Sequence, residues 1–176
     1  MTSKDTARHD ALVADLKGRF GARVLDVDRS FDDCAVVVAR DALHDVLAFL
    51  KNERRFNFLM DIAGVDCANL PTYRERFELV YVLYSSPDDL RVRVEVPVSE
   101  LDMKVPTATD LWKSANWAER EAFEMFGFNF VGHPCLKRLL THHEFVGHPL
   151  RKDYPIMGGQ WCATTSDMTE ELNEPR

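Results

Sequence analysis

The sequence lacks a long hydrophobic run, and its N-terminus has no hydrophobic signal region. A helix that crosses a bilayer needs roughly 20 consecutive apolar residues, and no stretch of this chain approaches that length. We therefore expect the protein to contact a membrane only through partner proteins.

Positive charge is also scarce. The chain has 22 lysines and arginines against 29 aspartates and glutamates, which gives a formal net charge of −7. Because binding to nucleic-acid phosphates needs a basic surface, this balance argues against a nucleic-acid-binding protein.

The sequence has no closely spaced pair of cysteines. Its four cysteines, Cys34, Cys67, Cys135 and Cys162, form no Cys-x-x-Cys motif, so the ligand spacing of zinc and iron–sulfur sites is absent. We interpret them as reduced thiols of a cytosolic protein. We also expect no metal, flavin or cluster to bind within this chain.

The 176 residues, 45% of them hydrophobic, suit a single domain with an appended segment. Hydrophobic periodicity predicts an order of α-β-β-α-β-β-β-α. Asp41 is the expected N-cap of the second helix. The predicted helices cover residues 4–20, 42–53 and 116–126, and the predicted strands cover residues 23–27, 34–39, 57–65, 77–84 and 90–98.

The last three strands define the expected sheet. Residues 57–65 and 77–84 are apolar at nearly every position, so we expect both strands to be central or covered on both faces. In residues 90–98, Val92, Val94 and Val96 alternate with Arg91 and Arg93, which predicts inward valines and outward arginines.

Short links between these strands favour antiparallel pairing. The expected fold is an α+β two-layer sandwich, with helices packed on one face of a mainly antiparallel sheet. Residues 1–127 form this domain, and residues 128–176 form an extended C-terminal arm.

The third predicted helix carries several charges. Asn116 and Glu119 have capping-box spacing, and Arg120 and Glu124 have the spacing of an i, i+4 ion pair. Glu121 and Glu124 are three residues apart, a spacing that also suits acid–base or metal chemistry. We favour a structural or interface role, because no Glu-x-x-His motif accompanies them.

Two copies of Val-Gly-His-Pro follow, at residues 131–134 and 146–149. Proline holds the preceding residue extended, and glycine permits backbone angles that other residues resist, so each copy predicts a stiff corner. The four histidines nearby lack a completing acidic or thiol cluster and argue weakly for a metal. They are His133, His142, His143 and His148.

A family resemblance rests on this region. The run Glu119–Gly127, then Gly132-His133-Pro134, then Gly147–Pro155 with the sequence GHPLRKDYP, resembles the C subunit of NADH–quinone oxidoreductase, the 30 kDa subunit family of respiratory complex I. Two positions depart from the family pattern. Glu124 stands where aspartate is usual, and Cys135 where aspartate or asparagine is usual.

The resemblance implies a cofactor-free, structural subunit of the peripheral arm of the complex. FMN, iron–sulfur clusters and quinone would bind in partner subunits, and this chain would brace chiefly the D and B subunits. Its place would be the cytoplasmic side of the bacterial inner membrane, or the matrix side in an organelle. The rival hypothesis is a stand-alone metal-dependent hydrolase that uses His133, His148 and Glu121.

The resemblance also implies a partner interface within residues 119–154. We expect Arg151 and Lys152 to pair with partner carboxylates, and Asp153 to pair with a partner base or backbone donor. The expected interface residues are Glu119, Arg120, Glu121, Gly132, His133, Pro134, Arg138, Gly147, His148, Pro149, Arg151, Lys152, Asp153 and Tyr154.

Overall fold

The structure, a computed structural model, describes residues 3–29, 34–70 and 73–157. Expectations about Cys162 and the polar end of the arm fall outside these residues. All eight predicted elements are confirmed, and two short strands join them. The helices are Ser3–Phe20 (α1), Leu43–Asn52 (α2) and Ala115–Phe126 (α3); the strands are Val24–Asp28 (β1), Ala35–Val38 (β2), Phe58–Asp66 (β3), Phe77–Ser85 (β4), Leu90–Val98 (β5), Lys104–Pro106 (β6) and Asn129–Val131 (β7).

The main sheet has five strands in the order β1-β2-β5-β4-β3. Its pairs are antiparallel, except that β2 and β5 run parallel. The two added strands, β6 and β7, form a separate parallel pair. The fold is therefore α+β with a mainly antiparallel sheet, as predicted.

The sheet has one face toward the helices, the inner face, and one away from them, the outer face. Val92, Val94 and Val96 of β5 are fully buried, whereas Arg91 is exposed. Buried side chains from all three helices, such as Leu16, share one hydrophobic cluster with these valines. The predicted register of β5 is confirmed, and the helices pack on the inner face.

Strand β3 departs from the prediction of a central or fully covered strand. It lies at the edge of the sheet, and its register shifts between Leu59 and Asp61. Phe58 and Met60 are 54% and 49% exposed. The prediction was wrong because a continuous apolar run does not distinguish an edge strand from a central one.

Helix α3 packs closely against β3. A Cβ atom added at Gly64 would lie 2.5 Å from Cδ2 of Phe126 and 2.9 Å from the Phe128 ring. Phe128 and Phe130 are buried in the main core, so the domain continues beyond residue 127 through β7. Their alternation with exposed Asn129 and Val131 is the period of a strand.

Both predicted helix N-caps were wrong. Asp41 lies in a short 3-10 turn, and α2 starts after Ala42 with no side-chain cap. Helix α3 starts after Ser114 rather than Asn116. The Ser114 hydroxyl donates to the Leu59 carbonyl oxygen at 3.2 Å and so joins α3 to β3.

No helix in the described ranges is long and apolar enough to cross a membrane.

Candidate docking site formed by the C-terminal arm

The C-terminal arm folds back on the end of α3 and satisfies its last carbonyl groups. The final four carbonyls of any helix lack partners inside the helix. Here each of the four accepts a hydrogen bond from a residue after the helix. The donors to the carbonyls of residues 123, 124, 125 and 126 are the Gly127 amide at 2.9 Å, His148 Nδ1 at 2.9 Å, the Leu150 amide at 3.2 Å and Arg151 Nε at 2.6 Å.

Gly127 makes this arrangement possible. Its φ of +90° ends α3 in the left-handed region, which favours glycine. An added Cβ would also lie 2.6 Å from Nη2 of Arg151 and 2.8 Å from Nε2 of His148. The positive guanidinium of Arg151 suits the negative end of the helix dipole.

The two Val-Gly-His-Pro copies bind opposite ends of α3. Gly132 and Gly147 have φ values of +89° and +98°, which confirms that each copy forms a glycine corner. Nε2 of His133 donates to the Asn116 carbonyl oxygen at 3.2 Å, near the start of α3. His148 binds the last turn, so both imidazoles hold backbone rather than a ligand.

This use of the histidines bears on the metal hypothesis. Burial lowers the pKa of His148, which favours the neutral ring, and the hydrogen bond to Glu124 opposes this shift. Across residues 3–29, 34–70 and 73–157, no three His, Cys, Asp or Glu residues are grouped so as to hold a metal. The hydrolase hypothesis with His133, His148 and Glu121 therefore gains no support.

Glu124 anchors the middle of the arm. Its carboxylate is fully buried and accepts the amides of Leu139, Leu140 and Thr141 at 2.7, 2.8 and 2.5 Å. The Thr141 hydroxyl also donates to it. Burial raises the pKa of Glu124, but these hydrogen bonds outweigh it and lower the pKa to about 2.

Arg120 binds the same part of the arm. Its Nε donates to the Lys137 carbonyl oxygen and its Nη2 to the Arg138 carbonyl oxygen, both at 2.9 Å. The predicted Arg120–Glu124 pair was wrong, because both side chains direct their polar groups to arm backbone.

A second attachment joins the arm to the ends of β3 and β4. Arg76 contacts Asp66 at 3.2 Å and Asp153 at 2.9 Å through the same nitrogen, Nη2. The buried Asp66 carboxylate also accepts the Lys152 amide at 2.8 Å. Asp153 therefore has a base within this chain, Arg76, and its pairing with a partner base or backbone donor stays a prediction.

Comparison with known proteins decides the family. The family model "Respiratory-chain NADH dehydrogenase, 30 Kd subunit" matches residues 36–160, which include the whole described arm and most of the sheet. The chain belongs to this family.

Relatives of the 30 kDa subunit family agree over most of the chain. The chain is 42% identical to the NADH-quinone oxidoreductase C subunit of Citrifermentans bemidjiense, over 86% of this chain and 92% of the relative. It is 41% identical to the NADH-quinone oxidoreductase C/D subunit of Bdellovibrio bacteriovorus, over 91% of this chain and 28% of that longer protein.

Solved structures agree as well. A trypsin-resistant fragment of Nqo5 is 37% identical, with a TM-score of 0.66, over 73% of this chain and 99% of the fragment. A chain of an archaeal membrane-bound sulfane sulfur reductase is 21% identical with a TM-score of 0.64, over 85% of this chain and 87% of that chain, which is a likeness of fold alone.

One expected interface residue of the 30 kDa subunit family is not at the surface. Glu119 is fully buried, where it accepts the Ala108 amide and the Thr107 hydroxyl, both at 2.6 Å. Burial raises the pKa of Glu119 to about 7. Its spacing from Ala115 and Ala122 places it on the buried stripe of α3, and this helical periodicity was the signal that sequence reasoning missed.

The remaining expected interface residues are exposed or half-buried. The exposed residues are Glu121, Gly132, Pro134, Lys152 and Asp153, and the half-buried residues are Arg120, His133, Arg138, Gly147, His148, Pro149, Arg151 and Tyr154. The Tyr154 ring stacks on Phe145 at 6.0 Å, and Arg138 lies 5.7 Å from the Phe145 ring centroid. These are contacts between residues of the arm itself.

Sequence reasoning missed the apolar side chains that the arm leaves in contact with solvent. Six of the twelve exposed large hydrophobic side chains in the described ranges lie within residues 131–157. They are Val131 at the end of β7 and, on the arm beyond it, Leu140, Val146, Leu150, Ile156 and Met157. For the five residues beyond β7 the signal was present, because they stand among the prolines and glycines of a segment with no helical or strand period of its own.

Proposed function

We propose that this chain is a non-catalytic, structural subunit of NADH-quinone oxidoreductase that binds partner subunits through its C-terminal arm. The main support for this role is the concentration of exposed apolar side chains on the arm. Scattered apolar side chains are normal on a protein surface, but grouped ones mark interaction sites, and half of the exposed large hydrophobic side chains in the described ranges lie within residues 131–157. Leu140 and Ile156 are 63% and 101% exposed.

The internal contacts of the arm support this role. Arg76, Glu124 and α3 bind the arm backbone at separate points, which favours a preformed surface of exposed side chains. A preorganised surface loses less conformational entropy on binding than a disordered one. The family motif then acts by shaping the surface, while the side chains between the anchored residues contact the partner.

Lys152 is the best placed cation of the motif for a partner carboxylate. Its backbone amide is fixed on Asp66, its side chain is exposed, and no ion pair of its ammonium is present among the described residues. An exposed pair of this kind contributes only about 0–1 kcal/mol. It would set orientation and specificity, and the apolar side chains would supply most of the affinity.

The D subunit of the complex is the proposed main partner, with the B subunit beside it. Support for the D subunit comes from the Bdellovibrio relative, a C/D protein in which this chain matches 28% of the length. Fusion of two chains keeps interacting surfaces close, and the family resemblance adds the B subunit. FMN, iron–sulfur clusters and quinone would bind in partner subunits.

The chain can be divided into a stable domain and a docking arm. A relative of this chain yields a trypsin-resistant fragment that aligns with 73% of it. We propose that the domain, including β7 up to Val131, is the stable part and that the arm beyond it is the docking part. The protein would reach the cytoplasmic side of the inner membrane, or the matrix side, only through the assembled complex.

Purification of the complex through a tag on this chain tests the proposal. Chemical cross-linking followed by mass spectrometry should join Lys152 to peptides of the D or B subunits. Metal and flavin analysis of the separated chain should find no stoichiometric iron, zinc or FMN. Recovery of the chain alone, or a cofactor that stays with it, would contradict the proposal.

A further inference from the structure

The outer face of the sheet carries an acidic cavity far along the chain from the arm. The cavity has a volume of about 310 Å³ and lies where β1, β2, β5 and β4 meet the loop before β4. Five of its lining residues are carboxylates, and one, Arg74, is basic. The carboxylates are Asp26, Asp28, Glu75, Glu78 and Glu95.

Glu78 is the unusual member of this acidic cavity. It is only 9% exposed and lines the cavity, yet none of the hydrogen bonds and ion pairs among the described residues involves its side chain. A buried carboxylate without a partner is costly. Burial, and next the charge of Glu95, raise the pKa of Glu78 to about 7, and Arg93 opposes the shift.

The shape of the cavity selects among cations. Its carboxylates do not converge, since the described residues include no group of three that could hold a metal. Val37 and Pro97 supply apolar walls, which suit the methylene stem of a long side chain. Tyr73, 46% exposed, supplies an aromatic ring on which a planar guanidinium can stack.

We propose that the acidic cavity binds an arginine side chain of a partner subunit, with Glu78 as its first carboxylate acceptor and Tyr73 stacked on the guanidinium. Glu95, whose Oε1 also lies 3.6 Å from Nη1 of Arg93 in this chain, is the second acceptor. The partner being another subunit rests on the proposed function. The site itself, a receptor for a guanidinium on the outer face, rests only on this chain. It is separate from the arm and would give the protein a second docking surface.

The isolated full-length chain tests the receptor directly. In a ¹H–¹⁵N NMR titration with N-acetyl-L-argininamide, saturable shifts are expected at the amides of Val37, Tyr73, Glu78 and Glu95. The double variant Glu78→Gln/Glu95→Gln should weaken binding at least about fivefold, because each charge-assisted hydrogen bond contributes roughly 1 kcal/mol or more. Glu53→Gln, a charge change of the same kind just after α2, should leave binding unchanged.

Titrations with other cations test whether the acidic cavity selects a guanidinium. N-acetyl-L-lysinamide should bind more weakly than the arginine probe, because an ammonium cannot pair with a carboxylate through two parallel hydrogen bonds or stack on an aromatic ring. Tighter binding of Mg²⁺ or spermidine at the same amides would overturn the proposal in favour of a point-charge or polyamine site. Equal binding by Glu78→Gln/Glu95→Gln and by the unaltered chain would overturn it as well.

Proton linkage gives an independent readout. The groups that face Glu78 are Glu95 and Arg93 on β5, Asp26 and Asp28 on β1, and Cys67, Tyr73, Arg74 and Glu75 in the loop before β4. Because a cation prefers the ionised carboxylate, affinity for the arginine probe should rise by up to about tenfold between pH 6 and pH 8. Glu78→Gln should remove most of that rise, and a rise of the same size in Glu78→Gln would overturn the role of Glu78.

The assembled complex identifies the source of the arginine. With p-benzoylphenylalanine in place of Tyr73, irradiation of the purified complex should cross-link a peptide of another subunit that contains an arginine. A cross-link to this chain itself, or to a peptide without arginine, would overturn the partner assignment. The NMR result would stand or fall independently of it.

Discussion

Arg76, just before β4, and Asp153 of the arm form an ion pair of 2.9 Å. The same guanidinium group contacts Asp66 inside the domain and Glu100 after β5. The Arg76 side chain is 20% exposed and that of Asp66 is 1% exposed. Arg76 therefore links the motif Gly147–Pro155 of the arm to the folded domain.

Arg76→Ala should loosen residues 152–154 on the domain, while Leu150 and Arg151 stay bound to α3. It leaves the buried Asp66 without its cation, and removing one partner of a buried pair costs about 3–5 kcal/mol. Hydrogen exchange should show faster exchange at the Lys152 amide, and urea unfolding should show the lower stability. The neighbouring Arg74→Ala, which removes a 3.8 Å contact of two largely exposed groups, should change stability by less than about 0.5 kcal/mol.

Glu124→Gln should destabilise the chain by roughly 1–3 kcal/mol at pH 7, since one acceptor oxygen replaces two among four donors. The folded pKa of Glu124, about 2, is below its ordinary 4.5. Its stabilisation is therefore complete above pH 4.5 and is lost as pH falls toward 2. Urea unfolding should show a smaller difference in the free energy of unfolding between the variant and the unaltered chain at pH 3 than at pH 7. Glu121→Gln on the same helix is the control; an equal loss there would contradict the anchor role.

Glu78→Gln, unlike Glu124→Gln, should stabilise the chain at high pH. The folded pKa of Glu78, about 7, is above its ordinary 4.5, so the folded state loses stability as pH rises from 4.5 through 7. The glutamine variant should be more stable than the unaltered chain by roughly 1–2 kcal/mol at pH 8 and about equal at pH 5. Thermal melts at both pH values provide the measurement, and a pH-independent difference would contradict the assignment.

Gly64→Ala should cost about 1–3 kcal/mol, because the new methyl group meets the rings of Phe126 and Phe128 in a packed core. Gly18→Ala on α1 has open space around its Cβ and should be neutral or stabilising by about 0.5–1 kcal/mol. Urea unfolding of the two variants compares them directly. Equal effects would show that the close approach of α3 to β3 is not tightly packed.

Much of the domain could be predicted from the sequence, because its signals are local. The alternation at Val92–Val96 predicted the faces of β5, and hydrophobic periodicity predicted the position of α3. The parallel pairing of β2 with β5 and the edge position of β3 depend on contacts between residues distant in the chain. Periodicity within one segment cannot indicate them.

Sequence reasoning proposed the location of the candidate docking site, and that interface role stays a prediction. It did not predict the contacts that these residues make within the chain. The motif Gly147–Pro155 was identified as an interface, yet His148, Arg151 and Asp153 bind this chain's own α3 and Arg76. Charged residues in a motif do not reveal whether their partner is in the same chain. The three successive amides on Glu124 could not be predicted either, since a backbone donor leaves no trace in the sequence.

The most direct test of the arm's docking role is assembly of the complex with an arm that has lost its exposed apolar side chains. The double variant Leu140→Ser/Ile156→Ser is compared with Leu70→Ser/Leu101→Ser, whose residues are also exposed but lie outside the arm. In a strain without the native subunit, native gels and NADH–quinone oxidoreductase activity of membranes measure assembly. We predict that the arm variant loses most of the assembled complex, that the control keeps it, and that both isolated chains melt like the unaltered one. Full assembly with the arm variant, or equal loss with the control, would contradict the docking role of the arm.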